Sequence, residues 1–179
     1  AYTQVNLEEF QKKTGSPVVE TWITLPPHQR PASWRKYKNP VCKLLLNLYG
    51  HPLAGLFWEI HCQQALFECG FEKVKGWECL YVHKEKQAFL SVYVDDFKMA
   101  GKKENLAPLW AELGKKLDLD PPTKMHENVY LGCGQTNLAP DAKLMSQKHQ
   151  TFQRVLSGNS ASTEGNFGIT NASSTRAAD

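Results

Sequence analysis

A chain of 179 residues, 41% of them hydrophobic, is long enough to bury one substantial core, and it contains no apolar run that would span a bilayer. Its net charge of +3 permits a nucleic-acid partner without marking one. Five cysteines without a CxxC pair, and no visible secretory signal, read as reduced thiols of an intracellular protein rather than a disulfide framework.

Residues 1–16 form a polar, charged stretch that closes on Gly15-Ser16. Residues 17–25 alternate well enough for a strand, and Pro26-Pro27 stops it. Residues 26–40 read as a loop: prolines recur among His28, Arg30, Arg35, Lys36 and Lys38, with Trp34 and Tyr37 between them. Such a basic, aromatic loop either grips a phosphate backbone and stacks a base, or serves as a solvated connector. An apolar run over 41–49 breaks at Gly50-His51-Pro52. Leu53, Leu56, Phe57, Ile60, Gln64 and Phe67 then recur at helical spacing, which predicts an amphipathic helix over 52–69 with Gly70 as its C-cap.

A strand is predicted over 77–82 and a charged turn over 83–86. Cys79 and His83 have a spacing that could seed a zinc site, but no second pair stands at a matching distance. Leu106, Leu109, Trp110, Leu113 and Leu117 line one face of a helix predicted over 104–119, ended by Pro121-Pro122. A short strand over 128–134 follows, then a strand or turn and a helix over 143–156. From Ser157 the composition shifts to Ser, Thr, Asn, Gly and Ala, which predicts a disordered tail over 157–179 after a folded segment over 1–156. The expected class is α+β: an antiparallel sheet with helices packed on one face.

The most informative stretch is 89–101. Phe89, Leu90, Val92, Tyr93 and Val94 are apolar at both parities, the pattern of a strand covered on both faces. They lead to Asp95-Asp96, and a second short run returns to Gly101. This reads as a central hairpin with the two carboxylates at its tip. An isolated Asp-Asp is most often a surface turn. Two carboxylates delivered by a buried ribbon repel each other, and a divalent cation with hard oxygen ligands removes that repulsion.

Tyr93-Val94-Asp95-Asp96 resembles the YVDD box of a reverse transcriptase, and its surroundings resemble the copia class of LTR-retrotransposon polymerases. Leu48-Tyr49-Gly50 with Trp58, Gly70-Phe71 with Cys79-Leu80-Tyr81, Tyr130-Leu131-Gly132 and Ser146-Gln147-Lys148 match family segments in order. The family's KQxPR run is replaced here by Pro52-Leu53-Ala54-Gly55-Leu56. The resemblance implies a palm and fingers fragment of an RNA-directed DNA polymerase, a nucleotidyltransferase using Mg²⁺ or Mn²⁺ in two-metal phosphoryl transfer. It assigns Asp95 and Asp96 as catalytic metal ligands, and Tyr2 and Tyr93 as contacts to the incoming dNTP. Arg30, Arg35, Lys36 and Lys38 become the candidate nucleic-acid contacts. The implied partners are an RNA or DNA template with its primer, dNTPs, and the integrase and RNase H portions of a polyprotein, with no membrane. The implied location is a cytoplasmic virus-like particle or the nucleus. Ala1-Tyr2 matches the end of an upstream Asp-x-x-x-Ala-aromatic motif, so the first metal ligand is expected before Ala1 and the fragment is expected to be inactive without it. The alternative is a non-catalytic, nucleic-acid-binding remnant of a decayed element.

Overall fold

The computed structural model describes residues 1–127, 129–134 and 167–173. They fall into two compact units divided between His61 and Cys62.

In the N-terminal unit, α1 (Leu7–Thr14) forms within the stretch read as polar and charged. Asn6 caps it by accepting the N–H groups of Glu8 and Glu9, both at 3.1 Å. Glu8 and Glu9 sit at the positive end of the helix dipole and Lys12 and Lys13 at the negative end. Gly15 ends it at φ +68°, a conformation that only glycine adopts cheaply. Leu7 and Phe10 point inward, and the Phe10 ring lies 5.1 Å from that of Phe57. The strand expected over 17–25 shrinks to β1 (Trp22–Ile23), antiparallel to β2 (Cys42–Lys43). Prolines on both flanks cannot donate to a ladder, so little else can pair. The loop between these strands folds into 3-10 turns at Pro27–Gln29 and Ala32–Lys36.

The long helix α2 (Ala54–Glu68) agrees with the expected span to within two residues at its start and one at its end. Its buried face differs from the expected one. Ala54, Phe57, Trp58, Cys62, Ala65 and Leu66 are buried, while Leu56 and Phe67 are about half exposed. The helix is apolar on nearly every side, so several stripes compete. The one that wins sets small Ala54, Cys62 and Ala65 among large neighbours, which allows dense packing. Gly70, at φ +83°, closes the helix as expected.

The C-terminal unit is built on a six-stranded antiparallel sheet. Its strands are β3 (Glu72–Lys73), β4 (Leu80–His83), β5 (Ala88–Tyr93), β6 (Asp96–Lys102), β7 (Thr123–Lys124) and, numbered last, β10 (Phe167–Ser173). Their order is β3-β4-β5-β6-β10-β7, so β5 and β6 are the middle pair. The helix α3 (Lys103–Leu113) packs on β6 and β10. A separate small hairpin joins β8 (Val129–Tyr130) to β9 (Cys133–Gly134), where a single strand was expected. The class is α+β, as expected. Among the described residues no helix is long and apolar enough to cross a membrane.

Two further expectations change. β5 is covered on one face only: Ala88, Leu90 and Val92 are buried, whereas Phe89 and Ser91 are partly open and Tyr93 is exposed. The tail expected to be disordered contains β10, which pairs with β6 from Phe167↔Lys102 to Ser173↔Asp96. Composition predicts whether a segment can order itself, and β10 instead completes ladders on both sides. The elements expected over 143–156, the Ser146-Gln147-Lys148 match and the rest of the tail lie outside the described residues.

Candidate functional site

The β5–β6 hairpin is two-residue: Tyr93 pairs with Asp96, and Val94-Asp95 make the turn. The tip is therefore one residue earlier than the Asp95-Asp96 expected. Val94 has φ +50°. A tight hairpin turn needs positive φ at its first central position, normally supplied by Gly, Asn or Asp. In a β-branched residue this conformation costs roughly 1–3 kcal/mol and persists only where the surroundings over-determine it. Here six register pairs and the buried side chains of Leu90, Val92, Phe97 and Met99 do so. At the opposite end Gly101 makes the register possible. A Cβ there would lie 2.8 Å from the Gln87 carbonyl oxygen and 2.9 Å from Ala88 Cα.

Asp95 is half-buried, and its Oδ1 is shielded from solvent. Asp96 opens β6 on the sheet's open face, the face that also carries Lys98 and Ser91. There the β8–β9 hairpin contributes Tyr130. The Tyr130 hydroxyl and Ser91 Oγ share a hydrogen bond of 3.0 Å, and Lys98 Nζ sits 5.0 Å from the Tyr130 ring centre. Burial pushes the Tyr130 phenol above its ordinary range; the Ser91 bond works against this, and the nearby Asp96 charge adds to it. Burial lowers the Lys98 ammonium. Nothing in the sequence pointed to Tyr130 beyond the resemblance of Tyr130-Leu131-Gly132 to a polymerase segment. Ser91, Lys98 and Asp96 share a face through the β5–β6 register.

The other expected site residues lie elsewhere. Tyr93 is 57% exposed beside the tip. Tyr2 is in the N-terminal unit, where its ring lies 4.5 Å from that of Tyr49. Arg30, Arg35, Lys36 and Lys38 are in the same unit. Arg30 Nε donates to the Leu25 carbonyl at 2.8 Å, so that side chain helps close its own loop. Arg35, Lys36 and Lys38 are exposed, and Lys36 lies 5.1 Å over the Tyr37 ring. His51, without an assigned role in sequence, is structural: its Nδ1 accepts the Leu53 N–H at 3.2 Å, and its Nε2 lies 3.3 Å from Thr21 Oγ1. His83 is buried with its ring edge-on to Phe71, while Cys79 is exposed.

Whether Asp95 and Asp96 fit a divalent cation turns on their donor chemistry. Carboxylate oxygens are the hard ligands that Mg²⁺ and Mn²⁺ take. Two adjacent carboxylates, one with a shielded oxygen, fit as a partial site. Among the described residues no group of three or more His, Cys, Asp or Glu side chains stands close enough to complete one. Comparison with known protein families, curated proteins and solved structures finds no match to this chain.

Proposed function

We propose that the chain is a palm-like part of a copia-type RNA-directed DNA polymerase, with Asp95 and Asp96 as the metal-binding carboxylates of nucleotidyl transfer. The observation that supports this best is the middle hairpin of the sheet, whose β-branched tip residue Val94 is kept at φ +50° between Tyr93 and the two carboxylates. Strain that a glycine would remove, sited beside paired acids, is the kind of cost retained where geometry matters to function. Bound Mg²⁺ or Mn²⁺ would supply Lewis-acid stabilisation of the oxygens in phosphoryl transfer. The chain's own part is to aim Asp95 and Asp96 and to offer Tyr93 to the incoming nucleotide. Primer and template, dNTPs and the remaining polyprotein are the partners this implies.

The test is Mn²⁺ binding followed by electron paramagnetic resonance. Asp95→Asn and Asp96→Asn should each weaken it about tenfold or more, the loss expected from removing one charged ligand. A folded double variant that binds Mn²⁺ like the parent overturns the reading. A chain extended upstream through an Asp in the family's motif should add dNTPs to a primed template, and Asp95→Asn should abolish this.

A second reading, nucleic-acid binding without catalysis, is favoured by the exposed Arg35, Lys36 and Lys38 beside Tyr37. It requires salt-sensitive binding that survives Asp95→Asn.

A further inference from the structure

The connection from β3 to β4 is a small, stiff platform. The Val74 N–H donates to the Leu80 carbonyl at 2.9 Å, and the Trp77 N–H donates to the Val74 carbonyl at 3.0 Å. Gly76, at φ +82°, supplies the positive φ that this turn requires at its third position. The turn pushes the Trp77 indole outward, 64% exposed. Around it lies a surface cavity of about 370 Å³ lined by Lys73, Val74, Lys75, Gly76, Trp77 and Glu78. Lys73 and Lys75 are exposed. The neighbouring acid Glu72 is ion-paired to Lys84, which leaves Glu78 as the one carboxylate of the lining.

A single exposed apolar side chain needs no explanation. An exposed indole beside a cavity, on a turn closed by backbone bonds and flanked by two cations, has a specific complement. Single-stranded nucleic acid alternates flat bases with phosphates, and proteins bind it by stacking bases on aromatic rings while cations track the backbone. An acidic peptide would satisfy the lysines and leave the indole uncovered. A preformed turn also loses little entropy on binding.

We propose that the β3–β4 loop binds single-stranded nucleic acid, with a base stacked on Trp77 and the flanking phosphates held by Lys73 and Lys75. This rests on the nucleic-acid reading above but not on its chemistry.

The experiment is fluorescence anisotropy of a labelled oligothymidylate titrated with the full chain. Trp77→Ala should weaken binding about tenfold, and Trp77→Phe should keep most of it, because stacking needs a ring rather than an indole. Lys73→Gln with Lys75→Gln should weaken binding and flatten its salt dependence. Polyglutamate should compete poorly. Far-ultraviolet circular dichroism checks the fold of each variant, and the exposure of all three side chains makes misfolding a minor concern. Unchanged affinity in Trp77→Ala overturns the proposal. So does competition by polyglutamate equal to that by oligothymidylate, which would make the loop an acidic-peptide surface. Loss of the metal effect with Trp77-dependent binding retained would sink only the polymerase chemistry, and the reverse result only the stacking site.

Discussion

Two hairpins in the C-terminal unit turn through the same kind of tight connection with very different support. The β8–β9 hairpin turns at Leu131-Gly132, with φ +52° and +77°, and has two register pairs beneath it. The β5–β6 hairpin turns at Val94-Asp95, with Val94 at φ +50°, and has six register pairs and neighbours on both sides. In the first, glycine takes one of the two unfavourable positions. In the second, the unfavourable position falls on valine, among the residues least suited to it. The comparison teaches that the conformation at the carboxylate tip is imposed from below by the sheet, not chosen by the turn residues. Removing that imposition, or making it unnecessary, should have opposite effects on stability.

The largest effect is expected from Phe97→Ala. Phe97 is fully buried one residue past Asp96, on the face that α3 covers. Its loss should cost about 3–5 kcal/mol. Denaturant unfolding checks this, and a cost below about 1 kcal/mol would mean that the tip does not depend on the core face. Gly101→Ala should come next. The new methyl would meet the backbone of Gln87 and Ala88, which cannot rotate away, so a loss of about 1–3 kcal/mol is expected. It should also weaken Mn²⁺ binding at the far end of the ribbon, an effect that a remote and purely local packing defect would not have.

Val94→Asn reverses the sign. Asn tolerates positive φ, so the variant should be more stable by about 1 kcal/mol, seen as a higher denaturation midpoint with unchanged slope. Leu131→Asn should gain a similar amount or less. If Val94→Asn stabilises the protein and weakens Mn²⁺ binding while Leu131→Asn only stabilises it, the strain at Val94 serves the site. If both behave alike, the strain is incidental.

The same contrast shows what could be read from the sequence. The middle hairpin was legible because its apolar run ends abruptly at two acids and resumes in register to Gly101. Its tip was misplaced by one residue because Val94 carries no turn signal, and the ladder overrides local preference. The span of α2 was legible from its length and from Gly70. Its face was not, because an apolar helix offers more than one stripe. The signals for α1 were present in Asn6, the Glu8-Glu9 and Lys12-Lys13 charges and Gly15, yet its polar surface masked them. β10 was illegible for a deeper reason: its stability comes from β6 and β7, far away in sequence, and its composition alone argues for disorder. Tyr130 is similar, since its partners Ser91 and Lys98 are brought to it by the sheet.

The smallest expected effect concerns that tyrosine. Burial raises the Tyr130 phenol above the ordinary value near pH 10, with the Asp96 charge reinforcing it. In the unfolded chain the same phenol ionises at its ordinary value. Between the two values the unfolded state has lost the proton and the folded state has kept it. The stability from Tyr130 is thus fully present below about pH 10 and is lost as pH rises through the folded value. An ultraviolet titration should show Tyr130 ionising later than the exposed tyrosines, a late step isolated as the difference between the parent and Tyr130→Phe. Asp96→Asn should move the step down without removing it, because burial remains the larger cause. A late step insensitive to Asp96→Asn would separate the Tyr130 phenol from the charge of the carboxylate hairpin.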